Sequence, residues 1–317
     1  MNKILVTGCN GFVGTAFRRY LEQRDIPYVG TSRHAGSGLV QVQRIDGDTD
    51  WSHALLGCNT VIHLANRAHV MRETERDPLA AFRKVNVDGT LGLARQAHAA
   101  GVRRFVYISS VKVNGETTGV EPFRATDAPA PADPYGISKW EAEQGLKALG
   151  EKTGLEIVIV RPPLVYGPGV KANFERLVHA VQRGLPMPFG LVQNKRSMVA
   201  VDNLCDFLLT SAQHPAASGH TFLVSDGHDL STGDLIRMIA QALGMQPRLL
   251  PVPPSIMQWT ARLLGKGDMA MRVLGSLQID IAPAQRLLDW RPPVTPEIAI
   301  GQTVQHMLQE QHHETSR

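Results

Sequence analysis

The segment Lys3-Ile-Leu-Val-Thr-Gly-Cys-Asn-Gly-Phe-Val-Gly14 decides the fold of this chain of 317 residues. Its apolar beginning, residues 3–7, predicts a buried strand, and a helical pattern follows over residues 11–24. A second run at residues 28–32 completes a unit of about thirty residues with the proportions of strand, helix and strand. The chain therefore begins as an α/β protein.

Three glycines, Gly8, Gly11 and Gly14, recur at every third position in the turn between this strand and this helix. In dinucleotide-binding turns the first glycine permits the tight turn, the second lets the backbone approach the pyrophosphate, and the third allows close packing of helix on strand. The pyrophosphate then lies on the free amides and the positive dipole end of the helix. Their place between a strand and a helix predicts a dinucleotide site rather than an ordinary turn.

The alternation of short strands and helices continues along the chain. Apolar, β-branched runs recur at residues 60–64, 105–108, 156–160 and 221–224, with helical stretches between them, notably at 79–100 and 136–149. This pattern predicts an α/β fold with a Rossmann-type doubly wound parallel sheet. After about residue 166 prolines cluster and helical pieces dominate. We expect a dinucleotide-binding domain over residues 1–166, with a return segment at about 197–225. A smaller, mostly helical substrate-binding part is then formed by residues 167–196 and 226–317.

Arg33 stands at the end of the second predicted strand, where the ribose of the cofactor is recognised. An acidic residue there binds the ribose 2′-hydroxyl, whereas an arginine accommodates a 2′-phosphate. The sequence therefore favours NADP(H) slightly over NAD(H). A solvated Arg33, or one stacked on adenine, is an almost equal alternative.

Composition excludes several other classes of protein. The net charge is +4 and the pI about 9.0, but Lys and Arg are scattered, which does not indicate a nucleic-acid surface. Cys9, Cys58 and Cys205 are odd in number and far apart, which indicates reduced thiols. No apolar run reaches the roughly 20 residues of a membrane helix, and a strand so close to Met1 leaves no room for a signal peptide. We expect a cytoplasmic protein without a metal site.

Tyr135 and Lys139 are four residues apart at a predicted helix start, so both lie on one helix face. A free tyrosine titrates near pH ~10 and is a poor base at neutral pH. A cation about 4 Å away would stabilise the phenolate by up to ~4 kcal/mol, or roughly three pKa units. Ser109 and Ser110 follow the strand at 105–108, at the edge where parallel sheets bind ligands. Ser110, Tyr135 and Lys139 are therefore the predicted catalytic set.

Taken together, these motifs resemble the extended short-chain dehydrogenase/reductase superfamily, in its NAD-dependent epimerase/dehydratase branch. The resemblance covers nearly the whole chain. The motifs that carry it are Thr7-Gly-x-x-Gly-Phe-x-Gly14, His63-Leu-Ala65, Asn86-Val-Asp-Gly-Thr90, Ser109-Ser110, Tyr135-x-x-x-Lys139 and Arg161-Pro-Pro-Leu-Val-Tyr-Gly-Pro168.

The resemblance implies further site residues. Besides the residues already named, those implied to contact the cofactor are Phe12, Val13, Asp46, Leu64, Ala65 and Pro163. Those implied to bind a nucleotide-sugar substrate, in addition to Ser110, are Asn173, Phe174, Arg196 and Arg272. The two arginines suit a diphosphate because a guanidinium binds its oxygens in bidentate fashion. The resemblance also implies a homodimer through helices near 79–100 and 136–149.

One departure from this branch narrows the reaction. Its sugar-nucleotide 4,6-dehydratases carry an acidic pair immediately after the catalytic hydroxyl, whereas this chain has Val111 and Lys112. A valine cannot act as an acid or base, and a lysine reverses the charge. The sequence therefore argues against dehydratase activity.

Three functions are left open. The chain most resembles bacterial UDP-4-keto-6-deoxy-N-acetylhexosamine 4-reductases, which make UDP-N-acetylquinovosamine for surface polysaccharide. This resemblance rests on His69-Val-Met, Ser110-Val-Lys-Val-Asn-Gly115 and Gly167-Pro-Gly-Val-Lys-Ala-Asn-Phe174 and favours the reductase. A UDP-sugar 4-epimerase (UDP-glucose or UDP-GlcNAc type) with tightly bound NAD is the close alternative. A non-catalytic, NAD(P)-binding regulatory protein is a remote one, because both Tyr135 and Lys139 are present.

Overall fold

The structure is a computed structural model that describes residues 3–33, 38–68 and 76–315. The His69-Val-Met stretch used in the sequence analysis lies outside the described residues. The strands are β1 (Lys3–Thr7), β2 (Tyr28–Ser32), β3 (Leu39–Gln41), β4 (Cys58–His63), β5 (Arg104–Ile108), β6 (Glu156–Arg161), β7 (Leu164–Tyr166), β8 (Met198–Ala200) and β9 (Thr221–Leu223). The α-helices are α1 (Phe12–Glu22), α2 (Ser52–Leu55), α3 (Pro78–Arg83), α4 (Thr90–Ala99), α5 (Pro134–Thr153), α6 (Asn173–Gln182), α7 (Val201–Gln213), α8 (Thr232–Ala242), α9 (Pro254–Leu263), α10 (Gly267–Leu274), α11 (Ala282–Leu288) and α12 (Pro296–Thr315).

Seven of these strands form one parallel sheet in the order β3-β2-β1-β4-β5-β6-β9. The order reverses beside β1, so the carboxyl ends of β1 and β4 flank the crevice where doubly wound sheets bind ligands. The predicted Rossmann-type fold is confirmed. The short edge strand β3 was not predicted, because its three residues are only partly buried and carry no strong apolar pattern.

Side chains of the sheet alternate between two apolar clusters. In β5, Val106 and Ile108 belong to the cluster that packs under α1 and α7, whereas Phe105 and Tyr107 belong to the one under α4 and α5. Neighbouring residues of a strand point to opposite faces, so both faces of the sheet are covered. This burial explains why the strands appear in the sequence as continuous apolar runs.

The helix predicted over residues 79–100 is divided into three parts. α3 is followed by a wider, π-helical turn at Lys84–Gly89, after which α4 begins. The amide of Asn86, in that turn, donates to Ser138 Oγ (3.0 Å) and to the carbonyl of Arg67 (3.1 Å). Helical periodicity did not predict the π-helical turn, because these hydrogen bonds join it to residues far away in the sequence.

The chain after residue 166 is largely helical around a third cluster that contains Tyr166, Phe174, Ile236 and Ile300. It is not wholly helical, because β8 pairs in parallel with β7. The division into two domains and the homodimer through α3, α4 and α5 stay predictions.

Two expectations from composition concern the described residues directly. Cys9, Cys58 and Cys205 are buried free thiols, as expected. Among the described residues, none of the helices combines the length and the hydropathy of a membrane span.

Candidate active site

The glycine turn between β1 and α1 has the geometry of a phosphate-binding loop. Gly8 has φ of 73°, and a Cβ there would lie 2.8 Å from the amide nitrogen of Ala65. A Cβ on Gly14 would lie 2.1 Å from the Gly8 carbonyl oxygen. Gly11 caps α1 without a side chain, and the first turn of α1 carries no acid. The turn therefore leaves amides free for an anion, and this cradle fits the pyrophosphate of a dinucleotide.

A buried hydrogen-bond chain ties the β1 end to the β4 end. Thr7 Oγ1 accepts from the amides of Leu64 (3.2 Å) and Ala65 (3.1 Å) and lies 2.7 Å from Nδ1 of His63. Since this oxygen already accepts twice, we infer that its proton goes to Nδ1 and that Nε2–H donates to Thr90 Oγ1 at 3.1 Å. The chain holds Leu64 and Ala65, two of the predicted cofactor contacts, against the glycine turn. The position of Thr7 and Thr90 in it was not apparent from the sequence.

The neutral state of His63 follows from its surroundings. Burial, assisted by the charge of Lys139, lowers the pKa of His63 from 6.5 to about 3. The imidazole therefore acts as an uncharged structural link at neutral pH rather than as an acid or base.

At the end of β2 the structure places Arg33 on the surface. The hydroxyl oxygen of the preceding residue, Ser32, accepts a hydrogen bond at 2.5 Å from the side-chain amide of Asn10 in the glycine turn. Arg33 is the next residue and is exposed, so it lies near the glycine turn, and its contact with the cofactor stays a prediction.

Asp46 is buried in a turn beside α4. Its carboxylate accepts from Thr49 Oγ1 (3.1 Å) and the Asp48 amide (3.2 Å) and pairs with Arg44 (3.2 Å). The turn borders a cavity of about 580 Å³. The contact of Asp46 with the cofactor stays a prediction, as do those of Phe12 and Val13 in the first turn of α1.

The predicted catalytic residues meet at the carboxyl end of β5. Tyr135 and Lys139 lie on the first turns of α5, which Asp133 caps by accepting from the Gly136 amide at 2.7 Å. Ser110 follows β5 and accepts from the Lys112 amide at 3.2 Å. Its side chain lies close enough to Tyr135 to lower the pKa of the phenol. Two hydroxyls and an ammonium, from two elements of the fold, are therefore placed together.

The electrostatics of this set differ from the expectation. Lys139 Nζ donates to the Ile108 carbonyl at 2.8 Å and lies 5.8 Å from the centre of the Tyr135 ring. Burial lowers the pKa of Lys139 from 10.5 to about 7, against the attraction of Glu143. Burial, followed by the charge of Asp133, raises the pKa of Tyr135, and the nearby Ser110 side chain acts in the opposite sense. The pKa is thus raised and not lowered as expected, because burial disfavours the charged phenolate.

A charged layer beneath the catalytic set was missed by the sequence analysis. Glu143, one helical turn after Lys139, pairs with Arg161 at 2.5 Å, and both are essentially unexposed. Glu143 also accepts from Ser109 Oγ at 2.5 Å, and Arg161 donates to Asn114 Oδ1 at 3.0 Å. Every charge in the layer is paired, as a buried site requires. The four-residue spacing from Lys139 was the only sequence signal for Glu143.

Asn173 and Phe174, two of the residues predicted to bind the substrate, differ in exposure. Asn173 is the exposed first residue of α6, after Ala172 with φ of 62°. The Phe174 ring is buried and stacks on Tyr166 with 5.7 Å between ring centres. Phe174 therefore contributes its side chain to the core, so its contact with substrate would be made by the backbone. Pro163 is buried just after β6.

The two predicted diphosphate arginines lie at one corner of the C-terminal part. Arg196 is half-buried, and its Nη1 donates to the Gly275 carbonyl at 3.1 Å. Burial lowers the pKa of Arg196 below its usual value, and the charge of Glu116 acts in the opposite sense. Arg272 is exposed near the end of α10, three residues before Gly275. Over the described part of the chain, no cluster of His, Cys, Asp and Glu side chains could hold a metal ion.

Comparison with known proteins places this geometry in one family. Residues 4–225 match the model of the NAD dependent epimerase/dehydratase family. A UDP-glucose 4-epimerase of Vibrio cholerae is 46% identical over 313 residues, which are 96% of this chain and 95% of the relative. A GDP-6-deoxy-D-mannose reductase of Pseudomonas aeruginosa is 29% identical over 262 residues, 79% of this chain and 83% of the relative.

A solved structure supports the fold independently. The UDP-glucose 4-epimerase of Thermotoga maritima, crystallised with UDP-glucose, has a TM-score of 0.76 and 23% identity, with 98% of this chain and 99% of that chain covered. At this identity the likeness shows the fold alone. The family expected from the sequence is confirmed, although the relative at 46% identity is named an epimerase and not a 4-reductase. Because the family model spans residues 4–225 and a relative is 46% identical over nearly the whole chain, the protein is an enzyme that belongs to the NAD dependent epimerase/dehydratase family.

Proposed function

We propose that this enzyme is a UDP-sugar 4-epimerase, acting on a UDP-hexose or UDP-N-acetylhexosamine. The observation that carries the proposal is the placement of Ser110, just after β5, close to Tyr135, with Lys139 one turn further along α5. Val111 is buried and Lys112 pairs with Asp133, so neither residue can remove a second proton from the sugar. The relative at 46% identity, named a UDP-glucose 4-epimerase, supports the same reaction.

The chain's own residues supply the proton chemistry. Tyr135 takes the proton of the sugar 4-hydroxyl as a phenolate, and Ser110 donates a hydrogen bond to the same oxygen. A bound nicotinamide dinucleotide supplies the acceptor and donor of the hydride at C4. After the bound 4-keto sugar rotates to present its other face, Tyr135 returns its proton to the new hydroxyl. Because burial raises the pKa of Tyr135, its phenolate needs a nearby positive charge, and the Lys139 ammonium on the same helix would supply one.

Binding of the rest of the substrate is assigned to the C-terminal part. Arg196 and Arg272 would hold the diphosphate, with Asn173 and the backbone of Phe174 near the nucleotide. The half-buried guanidinium of Arg196 is partly shielded from water, which strengthens its attraction for a charged partner.

A 4-keto-sugar reductase is the second candidate, and Arg33 is the observation that favours it. An exposed guanidinium at the end of β2 suits a 2′-phosphate and a reduced cofactor that is released at each turnover. The same catalytic set serves this reaction, with Tyr135 as the proton donor. A purely regulatory, non-catalytic protein is not proposed, because the chain belongs to a family of enzymes and carries the complete set.

Cofactor stoichiometry separates the two candidates. The purified enzyme is incubated with UDP-glucose or UDP-GlcNAc without added cofactor, and C4 epimers are resolved by NMR. Parallel reactions contain UDP-4-keto-6-deoxy-GlcNAc with NADH or NADPH, followed by absorbance. We expect epimers without net change in nicotinamide absorbance. Oxidation of one NAD(P)H per keto sugar, with no epimer formed, would establish the reductase instead. Tyr135→Phe is the matched control in both reactions.

A further inference from the structure

Lys112 lies between the two segments that carry the catalytic hydroxyls. It is the second residue of the 3₁₀ turn Val111–Val113 that follows Ser110, and its amide donates to Ser110 Oγ at 3.2 Å. Its ammonium pairs with Asp133, two residues before Tyr135, and with Glu116 at 3.1 Å. One side chain thus joins the Ser110 turn to the start of α5.

Asp133 uses its two carboxylate oxygens for different tasks. Oδ1 accepts from the Gly136 amide and caps α5, while Oδ2 binds the Lys112 ammonium. The two segments also approach closely as backbone, since a Cβ on Gly136 would lie 3.1 Å from the Lys112 carbonyl oxygen. Lys112 therefore holds the helix start that presents Tyr135 against the turn that presents Ser110.

We propose that Lys112 is a positioning residue, whose ion pair with Asp133 keeps the Ser110 and Tyr135 hydroxyls directed at one substrate oxygen and cancels the Asp133 charge next to the phenol. This inference rests on the proposed role of Tyr135 but applies equally to an epimerase and a reductase. Lys112, which stands where the dehydratases of this family have an acidic residue, would thus have a positioning role.

The charged and uncharged groups around Tyr135 show why the charge of Lys112 matters. Lys139 lies one turn along α5, the buried Tyr107 phenol faces it from β5, and α3 contributes the uncharged ring of Phe82. Asp133 is the negative charge that raises the pKa of Tyr135, and its ion pair is with Lys112. Lys112 is therefore the cation placed to oppose Asp133.

The test measures ionisation of Tyr135 directly. Enzyme saturated with NAD⁺ is titrated by ultraviolet difference absorbance, and the signal of Tyr135→Phe is subtracted. Lys112→Met should raise the midpoint by about one pH unit, because Asp133 is left unopposed. Asp133→Asn, which keeps a helix cap, should lower it by a similar amount. The double variant should return close to the wild-type midpoint.

Turnover provides the second readout. Lys112→Met should lower kcat by about 10- to 100-fold with little change in KM, because the misplacement affects the reacting groups and not the diphosphate site. Lys112→Arg should restore most of the kcat. Lys152→Met, the same change at an exposed position in the last turn of α5, is the matched control and should match the wild type.

The outcomes distinguish the inference from the proposed function. Equal midpoints in the wild type and Lys112→Met, or shifts of the same sign in Lys112→Met and Asp133→Asn, would overturn the role of Lys112. Absence of turnover with every UDP-sugar would instead reject the proposed function. The titration requires no substrate, so it still decides the question of Lys112 in that case.

Discussion

Around Tyr135 and Lys139, burial controls ionisation more than proximity does. Lys139 is 1% exposed and has a pKa of about 7, so a substantial fraction is neutral at physiological pH. The pKa of Tyr135 is raised at the same time. The catalytic pair is therefore costly to the free protein, because an active site holds groups that would be better solvated elsewhere.

Replacement of the phenol tests its role at the reacting oxygen. Tyr135→Phe should reduce kcat by a factor on the order of 10² to 10⁴, because the proton relay is lost. Cofactor affinity, measured by fluorescence titration, should change little, since the ring still packs against Phe82. Turnover like that of the wild type would remove Tyr135 from the mechanism.

Replacement of the buried ammonium should separate activity from stability. Lys139→Met removes a charge that burial disfavours, at the loss of the bond to the Ile108 carbonyl. A pKa lowered by several units corresponds to up to ~5 kcal/mol, and a charged hydrogen bond offsets about 2–3 kcal/mol of it. We expect kcat to fall sharply while the free energy of unfolding in urea at pH 7 rises by about 2 kcal/mol. A variant less stable than the wild type would contradict this balance.

Arg33 tests the cofactor side of the site. Arg33→Asp should shift the ratio of the Kd values for NADP(H) and NAD(H), measured by fluorescence titration, in favour of NAD(H), because the carboxylate repels a 2′-phosphate and accepts from a 2′-hydroxyl. Because Arg33 is exposed at the end of β2, the substitution should leave the stability of the fold unchanged. A wild-type enzyme that already prefers NADH by a wide margin would refute the assigned role.

At the scale of elements, the turn between β1 and α1 depends on contacts that only glycine permits. A Cβ on Gly14 would meet the Gly8 carbonyl oxygen at 2.1 Å, whereas a Cβ on Gly11 would meet the same oxygen at 3.3 Å. Backbone cannot yield as a flexible side chain can, so α1 would have to move away from the turn.

This difference predicts unequal effects of two identical substitutions. Gly14→Ala should destabilise the fold by about 1–3 kcal/mol and weaken dinucleotide binding at least tenfold, because overpacking displaces the amides of α1. Gly11→Ala should cost less stability. Urea unfolding and isothermal titration with NAD⁺ measure both quantities. The steric explanation fails if Gly11→Ala is the more destabilised variant.

For the whole molecule, the buried bases set how stability depends on pH. The pKa of His63 falls from 6.5 to about 3 on folding, so the unfolded chain binds more protons between these values. The stabilisation is fully present above about pH 6.5 and is lost as the pH falls toward 3. Lys139, with a folded pKa of about 7, makes stability rise as pH increases from 7 to 10.5.

Urea unfolding at pH 7.5 and pH 5 tests this dependence. His63 should account for a loss of about 2 kcal/mol between the two conditions, at 1.36 kcal/mol per pH unit below its unfolded pKa. In His63→Gln, which keeps a polar side chain between Thr7 and Thr90, the loss should be smaller by that amount. Equal losses of unfolding free energy in both proteins would show that groups other than His63 determine the loss of stability at acid pH.

Local spacing in the sequence determined the fold and the positions of the main site residues. The glycine triplet, the apolar strands and the interval between Tyr135 and Lys139 each lie within one or two elements, where the periods of helix and strand make position readable. These patterns predicted the parallel sheet and the catalytic edge beside Ser110. The short strand β3 and the π-helical turn at Lys84–Gly89 escaped prediction, because each depends on neighbours distant in sequence.

Only the tertiary structure decided which charged side chains are paired and which buried groups are neutral. The link from Thr7 to His63 spans 56 residues and the pair of Lys112 with Asp133 spans 21, distances over which sequence carries no signal of contact. Burial, which no local pattern measures, reversed the expected lowering of the pKa of Tyr135. The sequence by itself determined the residues available for chemistry at this edge of the sheet. Folding decided their ionisation, because desolvation depends on everything packed around them.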